Sequence, residues 1–173
     1  MISSIVGKLV LAYAGTGKSY LANKYENVID LDSGDFKWIG KRKDIPYYDR
    51  PLNPEFPTNY LNVIFDLLRN TDKIVLVSSH RLDIMEAISI AKPLLVYPQR
   101  DLLGEYIKRW QDRGNSEEFI KTRIAEFNTI LDRADSFKNL EKIYLKSGEF
   151  LDTALIQYGL ELKPKKKIEK DKI

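Results

Sequence analysis

The stretch from Lys8 to Asn23, KLVLAYAGTGKSYLAN, constrains this chain more than any other. An apolar strand, Leu9 to Ala12, runs into a loop holding Gly15, Thr16 and Gly17, and Lys18-Ser19-Tyr20 then opens a helix. Glycines let a backbone turn several N–H groups toward an anion without Cβ clashes. The start of a helix adds partial positive charge at the same spot. The spacing follows the phosphate-loop pattern G-x-x-x-x-G-K-[ST], with Ala12 at the place of the first glycine. In that pattern the lysine, here Lys18, meets the β- and γ-phosphates of a nucleotide, and the hydroxyl, here Ser19, is placed for Mg²⁺. ATP and Mg²⁺ are the expected ligands, with Gly15, Thr16, Gly17, Lys18, Ser19 and Tyr20 as the nucleotide-binding loop.

At 173 residues the chain suits one domain with a sizeable core. It has no cysteine, which excludes disulfides and thiolate metal sites, and its single histidine, His80, excludes a histidine-rich metal centre. Met1-Ile2-Ser3-Ser4 has no signal-peptide pattern, Lys8 interrupts the apolar run from Ile5 to Ala14 and Lys18 follows it, so a cytoplasmic protein with no membrane partner is expected. The net charge of +3 comes from the end of the chain. Residues 161–173 hold six lysines against three acids, and the rest balances at 22 of each sign. The basic excess therefore reads as a flexible tail rather than a nucleic-acid-binding face.

Along the chain, Asn27 to Leu31 reads as a second strand with Asp32-Ser33-Gly34-Asp35 leaving it. Strand C-termini line the ligand crevice of a doubly wound sheet. Asp30 and Asp32 fall at that edge, where a carboxylate can serve a metal ion or take a proton from an attacking hydroxyl. The competing reading is that Asp32 or Ser33 caps a helix starting near Asp35. Residues 36–60 are irregular and hold four of the seven prolines, with Trp38, Tyr47, Tyr48 and the basic triplet Lys41-Arg42-Lys43. A stretch this long suits a cap over an acceptor substrate. Its aromatics either stack on a base or anchor the loop to the core.

Pro57 to Asn70 follows as a helix, and Lys73 to Val77 as a buried strand. That strand ends in Ser78-Ser79-His80-Arg81, with no acidic residue for a metal, which moves that role to Asp30 or Asp32. Arg81 is a candidate for gripping an acceptor phosphate, and His80 reads as structural. Leu82 to Ala91 is a helix and Pro93 to Tyr97 a strand. Leu102, Leu103, Tyr106, Ile107 and Trp110 stripe a further helix that stops at Gly114. Residues 100–116 form a short lid, whose Arg109 and Arg113 close over a triphosphate or simply complement a helix C-terminus. Ile120, Ile124, Phe127, Leu131 and Ala134 then repeat as a core face. Glu141 to Leu145 is a fifth strand, and a last helix reaches about Tyr158.

Strand, glycine loop and helix followed by four more strand–helix units predict an α/β fold, a three-layer P-loop NTPase arrangement. Over residues 5–160 the chain resembles the nucleoside monophosphate kinase and shikimate kinase group, which implies a five-stranded parallel sheet of order 2-3-1-4-5 with helices on both faces. Ser33-Gly34-Asp35 is similar to the start of the T-G-D-x-x-R stretch of adenylate kinases, with Trp38 where the arginine stands. Asp30-Leu31-Asp32 is similar to the D-x-D of shikimate kinases. The resemblance implies a kinase that moves the γ-phosphate of ATP to a nucleotide-like small-molecule acceptor. It would use Lys18, Asp32, Arg109 and Arg113 for catalysis, Asp32, Asp35, Trp38 and Arg81 for the acceptor, and Ser19 with Asp30 for Mg²⁺. Two alternatives stand beside it. One is a kinase acting on a hydroxyl of a modified base in DNA, suggested by the basic triplet and tail. The other is a nucleotide-dependent binding module without turnover, suggested by the missing strand-3 aspartate.

Overall fold

The computed structural model describes residues 4–40, 49–78 and 84–167. Five strands form one sheet: β1 (Lys8–Ala12), β2 (Val28–Asp30), β3 (Ile74–Ser78), β4 (Leu94–Pro98) and β5 (Lys142–Leu145). Their order is β2-β3-β1-β4-β5, and every pairing is parallel. This is the expected α/β, P-loop-like fold. The strands are apolar without alternation because both faces of the sheet are covered. In β1, Leu9 and Leu11 enter one core cluster, and Val10 and Ala12 enter the other, as the two-residue period of a strand requires.

The helices divide between these faces. Helix α3 (Thr58–Asn70), α4 (Met85–Ser89), α5 (Leu103–Asp112) and α6 (Glu117–Ser136) cover the Leu9 face through Ile64, Ile88, Trp110 and Phe127. Helix α1 (Lys18–Lys24) and α7 (Leu151–Tyr158) cover the Val10 face through Leu21, Ala154 and Leu155. A short helix, α2 (Gly34–Lys37), follows β2. No helix among the described residues is long and apolar enough to cross a membrane.

Three details depart from the sequence pattern. First, α6 buries Phe127, Leu131 and Ala134 as expected but not Ile124. Ile124 is 40% exposed and Arg123 only 9% exposed, so the inward stripe runs through Arg123, Phe127, Ile130, Leu131 and Ala134. Second, residues 161–165 are not frayed. Asn27 Nδ2 donates to the Glu161 carbonyl at 2.7 Å, the Glu26 N–H to the Lys163 carbonyl at 2.9 Å, and the Lys165 N–H to the Lys24 carbonyl at 3.0 Å. Leu160 and Leu162 pack on the Val10-side core, so apolar burial and an edge of backbone partners hold what composition marked as a flexible tail. Third, β2 is one residue shorter at each end than the expected strand, which puts Asp30 at its last position.

Candidate functional site

All five strands run the same way, so their C-terminal ends share one rim of the sheet. The loop between β1 and α1 sits at the middle of that rim, because β1 is the central strand. Gly15 and Gly17 take left-handed φ values of +91° and +101°. A Cβ on Gly15 would lie 3.0 Å from Trp110 Nε1, so the loop and α5 meet only because this residue has no side chain. Trp110 Nε1 donates to the Ala14 carbonyl at 3.1 Å and fastens the loop from outside. The Thr16 hydroxyl donates to the Tyr13 carbonyl at 2.7 Å and fastens it from within. Thr16 is fully buried, so its side chain shapes the loop instead of facing a ligand.

The loop opens on a cavity of about 1410 Å³. Lys18 Nζ donates to the Ala12 carbonyl at 3.1 Å and to the Tyr13 carbonyl at 3.4 Å, and one of its three N–H bonds remains for the cavity. Burial lowers its pKa to about 8. Asp30 and Asp32 pull it up, and Arg113 pushes it down. The Ser19 hydroxyl donates to Asp30 Oδ2 at 2.9 Å, joining the start of α1 to the end of β2. Ser19, Asp30 and Asp32 all line the cavity. A hydroxyl and two carboxylates are hard oxygen donors, which fit a magnesium ion that keeps waters and phosphates as its other ligands. Among the described residues no group of three or more His, Cys, Asp or Glu side chains forms a closed metal cage.

Asp32 accepts the Gly34 N–H on Oδ1 at 2.8 Å. Asp32 therefore both takes an N–H at the start of α2 and lines the cavity, since one carboxylate has room for several donors. Tyr20, Trp38 and Arg113 also line the cavity. Asp35 does not line it and is exposed within α2. Arg81 and His80 lie outside the described residues, as do Lys41, Arg42, Lys43, Tyr47 and Tyr48.

The two expected lid arginines differ. Arg113 is exposed beyond the end of α5. Arg109 is 12% exposed and held by three hydrogen bonds. Its Nη1 donates to the Gly15 carbonyl at 3.1 Å, and its Nη2 donates to Glu105 Oε1 at 2.6 Å and to the Glu149 carbonyl at 3.0 Å. Its guanidinium lies 4.1 Å from the centre of the Phe150 ring and 4.6 Å from that of Tyr106. Glu105 in turn accepts the Gly148 N–H at 2.9 Å and the Ser147 hydroxyl at 2.8 Å. These two donors hold its carboxyl below the usual range, with help from Arg109.

Two buried arginines in the cavity wall have no counterpart among the expected residues. Arg50 is 5% exposed, and Arg123 presents Nε and Nη1 with no partner, its Nη2 donating to Glu126 at 3.1 Å. Arg123 was legible in one way: it occupies the apolar spacing of α6, four residues before Phe127. A charge inside an apolar stripe marks either a buried pair or a site. Arg50 has no such signal, because it sits in irregular chain among prolines.

No protein-family model matches the chain, and no curated protein matches it. Among solved structures, the tunicamycin resistance protein of Deinococcus radiodurans is similar, with a TM-score of 0.50 and 16% identity over 92% of this chain and 99% of that one. At that identity the likeness is one of fold.

Proposed function

We propose that the chain is a kinase that moves the γ-phosphate of ATP to a nucleotide-like small-molecule acceptor. The observation that carries this reading is a single cavity lined both by the β1–α1 glycine loop and by residues that follow β2. The sheet order puts β2 two strands from β1, about 10 Å at the usual spacing. That is a suitable separation for a donor triphosphate and the group it phosphorylates. Lys18 and the N–H groups of residues 15–19 cradle the β- and γ-phosphates. Trp38, Arg50 and Arg123 hold the acceptor. Ser19 and Asp30 would hold magnesium, which when bound neutralises charge on the phosphates.

An acceptor oxygen attacks the γ-phosphorus, the bond from that phosphorus to the β,γ-bridging oxygen breaks, and ADP leaves. A hydroxyl acceptor gives its proton to Asp32, and a phosphate acceptor, already ionised, needs no base. Arg113, exposed and free of the contacts that hold Arg109, meets the charge that spreads over the transferring group. The Ser19–Asp30 hydrogen bond supports turnover over mere binding, because it supplies from β2 the carboxylate missing after β3. The reading places the work in the cytoplasm, where ATP is plentiful.

Incubation with γ-labelled ATP and a panel of nucleoside monophosphates, nucleosides, sugars and hydroxymethylated DNA tests the reading. Label on a monophosphate or nucleoside is the expected result. Label only on DNA moves the acceptor to a polymer. ATP hydrolysis without any labelled acceptor rejects kinase turnover.

A further inference from the structure

The lysine-rich end of the chain has a fixed place on the surface. Asn27 holds it with both ends of one amide: Nδ2 donates to the Glu161 carbonyl at 2.7 Å, and Oδ1 accepts the Lys163 N–H at 2.9 Å. The Glu26 N–H donates to the Lys163 carbonyl, and the Lys165 N–H to the Lys24 carbonyl. Between these bonds Tyr25 and Pro164 form an antiparallel bridge. Residues 161–165 therefore run backwards along residues 27–24, which brings Lys165 to the C-terminal end of α1. Lys24, Lys163, Lys165, Lys166 and Lys167 are all exposed. The acids of this surface, Glu26 and Glu161, belong to the residues paired around Lys163, so Lys24 and residues 165–167 form a run of one sign.

Aromatic rings stand beside these charges. Lys24 Nζ lies 5.6 Å from the centre of the Tyr20 ring and 5.3 Å from that of Tyr25. Tyr20 precedes Lys24 by one helical turn, lines the cavity and is 62% exposed, so its ring stands at the cavity mouth. A track leads from that mouth across Tyr20 and Lys24 to the docked lysines. A cation at the end of a helix complements the helix dipole. Lys24 alone suffices for that, and the docked segment adds Lys165, Lys166 and Lys167.

We propose that this surface is a docking track for single-stranded nucleic acid, with Tyr20 stacking on a base and Lys24, Lys165, Lys166 and Lys167 taking phosphates. An unpaired strand offers both things the track can use, a base face for the ring and a line of phosphates for the lysines. A duplex keeps its base faces stacked away from Tyr20, and lipid headgroups offer charge without a base face. The inference stands apart from the kinase reading, because it needs no phosphate transfer and places the polymer outside the cavity wall formed by Trp38, Arg50 and Arg123.

The whole chain is titrated into a fluorescein-labelled oligothymidylate of about twelve nucleotides, and anisotropy is read from about 20 to about 200 mM KCl. Binding that weakens steeply with salt is the expected result. Lys165→Gln, Lys166→Gln and Lys167→Gln together should weaken it about tenfold or more at low salt. They should also flatten the log–log salt slope by about 2, since each phosphate contact on a single strand contributes about 0.7. Melting temperature and ATP binding of this variant should stay level, because these lysines lie outside the cavity. Tyr20→Ala should weaken the oligomer about tenfold with the slope unchanged, and Tyr20→Phe should restore it. Asn27→Ala keeps every lysine and releases the segment, while the bond from the Ile74 N–H to the Asn27 carbonyl still holds β2. It should weaken binding at least about threefold, because the segment must then be ordered again. No binding at the lowest salt overturns the proposal, as does an unmoved slope in the glutamine variant. An unmoved affinity in Asn27→Ala would make the lysines an untethered tail, and one in Tyr20→Ala would mean that any polyanion serves; either overturns the track. A duplex of the same length that binds as tightly overturns the single-strand assignment, and phosphatidylserine vesicles that displace the oligomer at equal charge make the surface a lipid one.

Discussion

The two sides of the cavity are built by different means. On the β1, β4 and β5 side, successive turns of one sheet edge are bonded to each other: Trp110 to Ala14, Arg109 to Gly15 and Glu149, Leu151 to Thr16. On the β2 side the wall comes from a four-residue helix, an isolated bridge between Trp38 and Leu52, and the buried Arg50. The first side is a backbone cradle with fixed dimensions, suited to a group that is the same in every reaction. The second is a set of side chains on irregular chain, where recognition can vary without disturbing the sheet. The proposed division into donor and acceptor sides makes the contrast testable, because damage to each side should have a different kinetic signature.

The largest effect should come from the donor side. Lys18→Ala removes the loop ammonium that the proposed reading sets against the migrating charge, and turnover should fall on the order of 100-fold or more. Single-turnover kinetics with saturating nucleotide would check it. Near-normal turnover would erase the distinction between the two sides at its strongest point.

Arg123→Met comes next and should separate activity from stability. The unpartnered Nε and Nη1 of Arg123 are buried polar groups, which cost a folded protein free energy when nothing pairs with them. Methionine fills similar space without that cost. We expect kcat/KM for the acceptor to fall roughly 10- to 100-fold, ATP affinity to hold within about threefold, and the melting temperature to stay level or rise by a few degrees. A protein that unfolds on this change while its remaining activity is normal would make Arg123 a core residue.

Asp32→Asn should have an intermediate effect that depends on the acceptor. Asparagine still accepts the Gly34 N–H, so the start of α2 survives. A hydroxyl acceptor predicts a loss of about 100-fold in kcat, since the proton has no other carboxylate at this position. A phosphate acceptor predicts a loss of only a few-fold. A silent Asp32→Asn with an inactive Asp30→Asn would pass the acceptor-side role to Asp30.

The same contrast governs what the sequence disclosed. The geometry of the proposed donor side was legible because its parts are contiguous: an apolar strand, two glycines and Lys18-Ser19 lie within twelve residues, and local chemistry dictates their arrangement. The sheet was legible because buried parallel strands are continuous apolar runs. The proposed acceptor residues Asp32, Trp38, Arg50 and Arg123 come from distant parts of the chain, and no local pattern relates them. Arg109 was found for its spacing from Arg113, but spacing does not say whether a guanidinium is free. Its burial follows from Gly15, Glu105, Glu149 and Phe150 converging on it. The docked residues 161–165 were missed because lysines dominate their composition while Leu160, Leu162 and backbone groups do the holding.

The smallest effect sharpens the comparison on the donor side alone. Burial brings Lys18 from its ordinary 10.5 to about 8. Folding therefore favours its neutral form, and between pH 8 and 10.5 the unfolded chain binds more protons than the folded one. For this group alone, stability rises with pH across that window and is flat below it. A triphosphate reverses the balance, because its negative charge beside Nζ favours the ammonium. Nucleotide binding at pH 8.5 should then take up a fraction of a proton per site, and affinity should decline as pH rises above 8. Calorimetry in two buffers of different ionisation enthalpy reads the uptake directly. Tripolyphosphate should show the same uptake as ATP, since the base plays no part in it, and Lys18→Ala should show none. Uptake that persists in Lys18→Ala would assign the proton to another group. Equal heats in both buffers for the wild type would mean that the ammonium is already fully formed, and that burial does not set its charge.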